Sequence, residues 1–461
     1  MLPPGATIGA RTPTKGGTVS KLRSLALGTA VAMVVAVSGS TAVAQGGKEA
    51  PKATDVGITA NEIHIAVLAD SDNPIQPGVF HGSVDALNGF EKYINKVEKG
   101  LAGRKVVVDF IDTKLNANET RNAIIKACQE DFALVGTTSL FVNNIDDMTG
   151  CVNQAGRAIG IPDFAVLTTE AVHQCSPVSH SINPPALQCA TKDDPEETYV
   201  VGSGPTLYYK KKFGKLHGVY LYPSDLKSAK DSQVPLFTAQ QRTIKADQQF
   251  DISNLAPQSV YTPVAQALKN HSSTFGRSGL AYNSTVALRK ESKIQGVNTV
   301  KVWDCSLQCY DKRLLEQGGP DVEGQFVYTG FLPFLGKSSE TKQNKMLANF
   351  VKYTGKSKVD GFGAQAWASA IYFRDVINAI VKAGGVNAVT RQAVLDQANK
   401  VNGFDAEGML VPTDVGNRTP SDCFVLLQVK NGEFERVFPK KKGTFSCDEK
   451  NRQTVKLDLL G

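Results

Sequence analysis

The sequence predicts an α/β protein whose parallel sheets are divided between two lobes. Three observations lead there. Short apolar strand patterns alternate with helical stripes from residue 63 onward, the signature of βαβ units. The alternation breaks at Pro184-Pro185 and the acidic turn Asp193-Asp194-Pro195, then starts again. About 415 residues remain once an export leader is set aside, too many for one ordinary core.

Residues 63–68 form the first apolar strand pattern. Phe80, Val84, Leu87, Phe90, Ile94 and Val97 follow at steps of three and four, which places one apolar stripe on a helix. Residues 105–109, 132–136 and 164–167 read as strands, with helices at 118–128 and 144–152 between them. In the second series, strands are predicted at 218–222, 243–250, 279–282, 297–302 and 324–330, and helices at 205–213, 262–270 and 310–317. Three helices follow, at 340–353, 362–383 and 391–401. Strands at 423–429 and 433–438 flank Lys430-Asn431-Gly432, and Asn-Gly there is a hairpin signal.

The first 44 residues contain no Asp or Glu. Lys21 and Arg23 precede an apolar run of 13 residues, Leu25 to Val37, and small residues lead to Ala42-Val43-Ala44. A basic flank, a short apolar run and an Ala-x-Ala end describe a secretory signal peptide. The run is short of the roughly 20 residues a membrane span needs. Cleavage near Ala44 implies an extracytoplasmic protein, in the periplasm, cell-wall space or medium. No Cys at the cleavage point supplies a lipid anchor. Residues 45–56 read as a disordered leader. Without residues 1–44 the chain carries 47 basic against 44 acidic groups. That near balance predicts no nucleic-acid partner.

All eight cysteines lie beyond the leader and fall into sequential pairs: Cys128 with Cys151, Cys175 with Cys189, Cys305 with Cys309, and Cys423 with Cys447. An even count in an oxidising compartment predicts disulfides. Structural zinc at Cys305 and Cys309 would want a second such pair or a histidine cluster, and the sequence has neither. The six histidines show no metal-ligand spacing, so no metal site and no cofactor are predicted. Gly-x-Ser-x-Gly, His-Glu-x-x-His and P-loop motifs are absent, which argues against an enzyme.

In open α/β sheets ligands bind beyond the carboxyl ends of strands. Asp70 follows the first strand and Phe80 opens the next helix; Thr137, Thr138 and Ser139 follow the third; Thr168 and Thr169 follow the fourth. In the second series the corresponding residues are Ser224, Tyr282 with Asn283, and Tyr328. Hydroxyls and free backbone N–H groups at a helix start suit an anion, and aromatic rings cover an apolar body. Helix capping accounts for the same residue types. The three adjacent hydroxyls at 137–139 exceed what one cap requires.

The opening strand, the Gly82-containing helix, Asp109-Phe110-Ile111-Asp112, Val135-Gly136-Thr137-Thr138-Ser139, and the stretch from Val322-Glu323-Gly324 to Ala383 follow one another as in a known family. The chain resembles the leucine/isoleucine/valine-binding periplasmic proteins of branched-chain amino acid ABC transporters. The resemblance implies a type I periplasmic binding fold: two Rossmann-like lobes joined by three crossovers. It implies lobe one at 57–190 plus 330–404 and lobe two at 191–329 plus 405–461. It further implies a small-molecule ligand, an amino acid or a small organic or aromatic acid, delivered to an ABC permease. Thr137, Thr138 and Ser139 would hold its carboxylate, with Thr168 and Thr169 nearby. The Cys128–Cys151 spacing matches a disulfide common in that family. In the amino-acid binders, an acidic residue shortly after a Tyr-containing strand end in lobe two pairs with the ammonium. Tyr282-Asn283-Ser284-Thr285 has none, so an aromatic, acidic or amide solute and a sensor role stand as alternatives, with a secreted hydrolase behind them.

Overall fold

The structure, a computed structural model, describes residues 49–72 and 78–460. The predicted signal peptide lies outside the described residues. The first sheet is built from β1 (Glu62–Ala69), β2 (Lys105–Asp112), β3 (Ala133–Val135) and β4 (Asp163–Phe164), all parallel, in the order β2-β1-β3-β4. The helices of this half are α1 (His81–Tyr93), α2 (Ala117–Glu130), α3 (Asp146–Thr149) and α4 (Ala171–Gln174). β1 is buried at almost every position, as a central parallel strand covered on both faces must be.

The chain continues through β5 (Glu197–Gly202), α5 (Gly204–Phe213), β6 (His217–Pro223), α6 (Lys227–Gln241), β7 (Lys245–Ile252), α7 (Thr262–Asn270), β8 (Phe275–Ser278), α8 (Tyr282–Ile294), β9 (Val302–Cys305), α9 (Lys312–Gly318) and β10 (Gln325–Thr329). β7-β6-β8-β9-β10 run parallel in that spatial order. After β10 the chain returns to supply α10 (Lys345–Thr354), α11 (Gly361–Gly384) and α12 (Arg391–Ala398). α10 and α11 pack on α1. The chain then crosses again to β11 (Cys423–Lys430) and β12 (Glu433–Phe438), which extend the second sheet antiparallel beside β10. β13 (Ser446–Cys447) pairs with β11, and β14 (Arg452–Leu457) pairs with β5. The passages after β4, β10 and α12 are the three crossovers. The four sequential cysteine pairs are the disulfides of the structure. No helix of the described residues is long and apolar enough to cross a membrane.

Several elements differ from expectation, each for a local reason. The strand expected at 279–282 lies at Phe275–Ser278, and the one expected at 297–302 is Val302–Cys305. Gly276-Arg277-Ser278 looks like turn chemistry in sequence. The strand exists because Arg277 is buried against a partner: its Nη1 donates to Asp304 Oδ2 on β9 at 2.6 Å and its Nη2 to Tyr328 Oη on β10 at 2.9 Å. Tyr209 Oη donates to the other Asp304 oxygen at 2.7 Å. α6 carries Pro235 in its interior, a residue that argues against a helix. α8 begins at Tyr282, where a strand was expected to end, and was not anticipated. β5 and β14 were not anticipated. The helix expected at 144–152 shrinks to Asp146–Thr149. Of the leader expected at 45–56, residues 45–48 lie outside the described residues and 49–56 meet the body of the protein: Arg104 Nη2 donates to Lys52 O at 2.6 Å, and the Arg391 N–H to Asp55 Oδ2 at 2.8 Å.

Removing one partner of a fully buried pair strands the other charge, at a cost of about 3–5 kcal/mol. Arg277→Met is therefore expected to lower unfolding free energy by that amount in urea titrations. Arg277→Met combined with Asp304→Leu should recover much of the loss, because no lone charge is left behind.

Candidate functional site

In both sheets the strand order reverses beside the first strand, between β1 and β3 and between β6 and β8. Ligands of open α/β sheets bind beyond the carboxyl ends of the strands at such a switch. The loops leaving those ends, in both halves, face one cavity of about 230 Å³. The first half contributes Phe80, Leu115, Leu140, Leu167 and Thr169. The second contributes Asp225 after β6, Asn254 after β7, Tyr282 after β8, and Leu307, Asp311 and Arg313 after β9. Asp360 and Phe362 at the start of α11 close one side. A second cavity of about 430 Å³ adjoins and shares Leu167, Thr169, Leu226 and Ser232 with the first.

The apolar wall of the first half is set by Asp70. Its carboxylate, fully buried at the end of β1, accepts from Thr113 Oγ1 at 2.6 Å, from the Leu115 N–H at 2.8 Å and from the Leu140 N–H at 2.8 Å. One side chain thereby fixes the loops after β2 and β3 and aims Leu115 and Leu140 at the cavity. Burial pushes the Asp70 carboxyl up, and these three donors oppose that shift.

Charge in the cavity comes from helix starts. Asp311 caps α9 by accepting from the Arg313 N–H at 2.8 Å, as N-cap carboxylates do. Its carboxylate also takes both Nε and Nη2 of Arg313. The Arg313 guanidinium lies 4.7 Å from the Tyr282 ring centroid, a cation–π contact. Asp360 caps α11 through the Gly363 N–H at 2.7 Å. Burial, with Asp311 and Asp85 nearby, pushes its carboxyl up to about 7, although the Gly363 N–H and Arg313 act against the shift. α1 crosses so close that a Cβ at Gly82 would fall 2.1 Å from both Asp360 oxygens. Asp225 is spent locally, accepting from Ser253 Oγ at 2.5 Å and from Asn254 N and Nδ2 at 2.8 Å each.

Of the residues singled out in sequence, Phe80, Thr169 and Tyr282 line the cavity, and Thr168 lines the adjoining one. Asp70 stands behind the wall. The hydroxyl run at 137–139 is buried beneath it. Thr137 donates to Asp163 at 2.7 Å, Ser139 pairs with Thr120 at 3.0 Å, and the Thr138 hydroxyl has no partner among the described residues. Ser224 is exposed and lines neither cavity. Asn283 Nδ2 donates to Asn254 O at 3.0 Å, one layer behind the lining. Tyr328 belongs to the Arg277–Asp304 cluster. Asp311, Arg313 and Asp360 were not anticipated. The only sequence signal for the two acids was that of helix caps, Asp360 before Gly361-Phe362-Gly363 and Asp311 before Lys312-Arg313.

Comparison with known proteins agrees with this fold. The family model described as periplasmic binding protein matches residues 236–433. The fold is similar to an ABC transporter substrate-binding protein of Aeropyrum pernix (TM-score 0.64, 16% identity, 84% of this chain and 97% of that one). It is similar to a leucine-binding protein of Thermotoga maritima (0.58, 14%, 81% and 97%). It is also similar to a fatty acid ABC transporter substrate-binding protein of Thermomonospora curvata (0.61, 12%, 85% and 94%). No curated protein matches the chain in sequence. The architecture is that of the type I periplasmic binding proteins, as the resemblance in sequence implied.

Two substitutions test the site's framework. Asp70→Ala leaves two inward N–H groups without an acceptor and should cost about 2–4 kcal/mol in chemical denaturation. Burial raises the Asp360 carboxyl from its ordinary 3.8 to about 7 in the folded chain. Its contribution to stability is complete below the lower value and is lost as pH rises through the upper one. Asp360→Asn should therefore raise unfolding free energy by about 1–3 kcal/mol at pH 8 and leave it nearly unchanged below pH 4.

Proposed function

We propose that this is an extracytoplasmic solute-binding protein that closes two lobes over a small ligand and delivers it to an ABC permease. The lobes of this reading are 57–190 with 330–404 and 191–329 with 405–461. The observation that carries the reading is the cavity of about 230 Å³ faced by the strand ends of both sheets. A volume of about 230 Å³ is below the roughly 300–1,000 Å³ typical of drug-sized ligands, which favours a solute of amino-acid size. No catalytic role is proposed for its lining.

A branched-chain amino acid suits the lining best. Leu115, Leu140, Leu167 and Phe80 offer an apolar surface for the side chain. The ammonium needs a counter-charge, because burying it alone is costly. Asp360 supplies that charge from the N-cap of α11, in place of the acid missing at 282–285; the Gly363 N–H takes only its Oδ1. Arg313 Nη1 donates to no described residue and suits the carboxylate. A second reading, an elongated amphiphile such as a fatty acid, is favoured by the adjoining 430 Å³ cavity.

Thermal-shift titration of the mature protein separates the two. Leucine, isoleucine or valine should raise the melting temperature, and Asp360→Asn or Arg313→Met should each cost at least about tenfold in affinity, corresponding to about 1.4 kcal/mol. A response that grows with acyl chain length and ignores Asp360 would establish the amphiphile reading instead. Silence toward both classes would overturn the proposed ligands, and turnover of any of them would overturn the binding role.

A further inference from the structure

A second cluster of charged groups lies on the first sheet, toward the N-terminal end of β1 and away from the cleft. His64 on β1, Asp109 on β2 and Asp131 at the end of α2 bring one ligating atom each within 4.8 Å of one another. His64 Nδ1 is 3.0 Å from Asp109 Oδ2. The register explains the meeting: His64 pairs with Val107, so Asp109, two residues on, shares its face.

Acidic groups near a histidine are common, but two further features point to a ligand. Asp131 is only 1% exposed, and its Oδ1 has no hydrogen-bond partner among the described residues. A buried carboxylate oxygen without a donor is costly, and its neighbours in the cluster are an imidazole and a second carboxylate. Glu62, Glu91 and Glu130 add negative charge around the group. Arg391 is near, but its guanidinium is engaged by the backbone carbonyls of Cys128, Asp131, Phe132 and Val152. The second feature is the other histidine nitrogen. His64 Nε2 lies 3.4 Å from Glu62 Oε2. A carboxylate holding the far nitrogen is how metal-binding histidines are oriented.

We propose that His64 Nδ1 and the carboxylates of Asp109 and Asp131 bind a divalent ion of zinc's class, with Glu62 fixing the imidazole and water completing the coordination. One imidazole, two carboxylates and an open fourth position suit Zn²⁺. Metal–ligand distances of about 2.0–2.2 Å place tetrahedral donors roughly 3.4 Å apart, a small closure from the observed spacing. His64 and Asp109 side chains are 30% and 46% exposed, so an ion can enter from solvent. The ion would tie β1, β2 and the end of α2 together, independently of any solute in the cleft.

The test uses the mature protein, stripped with a chelator and dialysed against Zn²⁺, with Mn²⁺ and Ca²⁺ in parallel. Metal content is read by elemental mass spectrometry and stability by melting temperature. One zinc per chain and a rise of about 2–5 °C are expected, with weaker responses to Mn²⁺ and Ca²⁺. His64→Ala and Asp131→Asn should each reduce zinc affinity at least about tenfold. Asp131→Asn replaces a carboxyl that burial and the adjacent Asp109 push up to about 8, so its metal-free melting temperature should equal or exceed that of the parent. If the parent binds no zinc, the cluster is balanced by protons on His64 and Asp131 and the proposal is wrong. Zinc binding that both variants retain in full would overturn it equally.

Discussion

The cleft rests on one buried carboxylate. Asp70 ends β1, the strand at the centre of the first sheet, and its two oxygens reach the loops after β2 and β3. Loops at strand ends carry backbone N–H groups that need acceptors when they are buried. Asp70 supplies those acceptors for Leu115 and Leu140 and so turns two irregular segments into a fixed apolar wall. Burial makes the carboxylate expensive, and its three donors are what make it tolerable. The hydroxyls beneath the wall serve the same framework: Thr137 satisfies Asp163, and Ser139 meets Thr120.

The second half solves a different problem. Its sheet holds a full ion pair, Arg277 with Asp304, in the interior. Tyr209 donates to the second Asp304 oxygen and Tyr328 accepts from Arg277 Nη2, while Arg277 Nε meets no acceptor among the described residues. This polar core ties β8 to β9 and β10 and lets β8 form from residues that would otherwise turn. The charges that reach the cavity are therefore separate ones, placed by helix caps at Asp311 and Asp360. Capping holds each carboxylate at a fixed point relative to its helix. The same geometry that stabilises α9 and α11 thus delivers charge to an otherwise apolar chamber.

The alternation of strands and helices was legible because buried strands and amphipathic helices write their periods directly into apolar spacing. Phe80, Thr169 and Tyr282 were legible as lining because strand ends must face the cleft in this fold. α6 was hidden by Pro235, and β8 by Gly276-Arg277-Ser278, since local propensity there is overridden by partners distant in sequence. The hydroxyls at 137–139 were misleading for the same reason. Their residue types suit an anion, but the structure directs two of them to partners within the first half. His64 and Asp109 are 45 residues apart, so no ligand spacing could show in the chain, and only the β1–β2 register joins them.

By itself the sequence determined the class of fold and the pairing of its cysteines. Periodicity, length and the short separation of each cysteine pair are local or near-local properties. Tertiary structure alone decided which polar groups reach the cavity and which are consumed behind it. That choice depends on where each donor finds its acceptor, and the decisive partners, such as Leu140 for Asp70 or Asp304 for Arg277, lie 70 and 27 residues away. The expected wall of hydroxyls thus became a wall of leucines, with its charge at two helix caps.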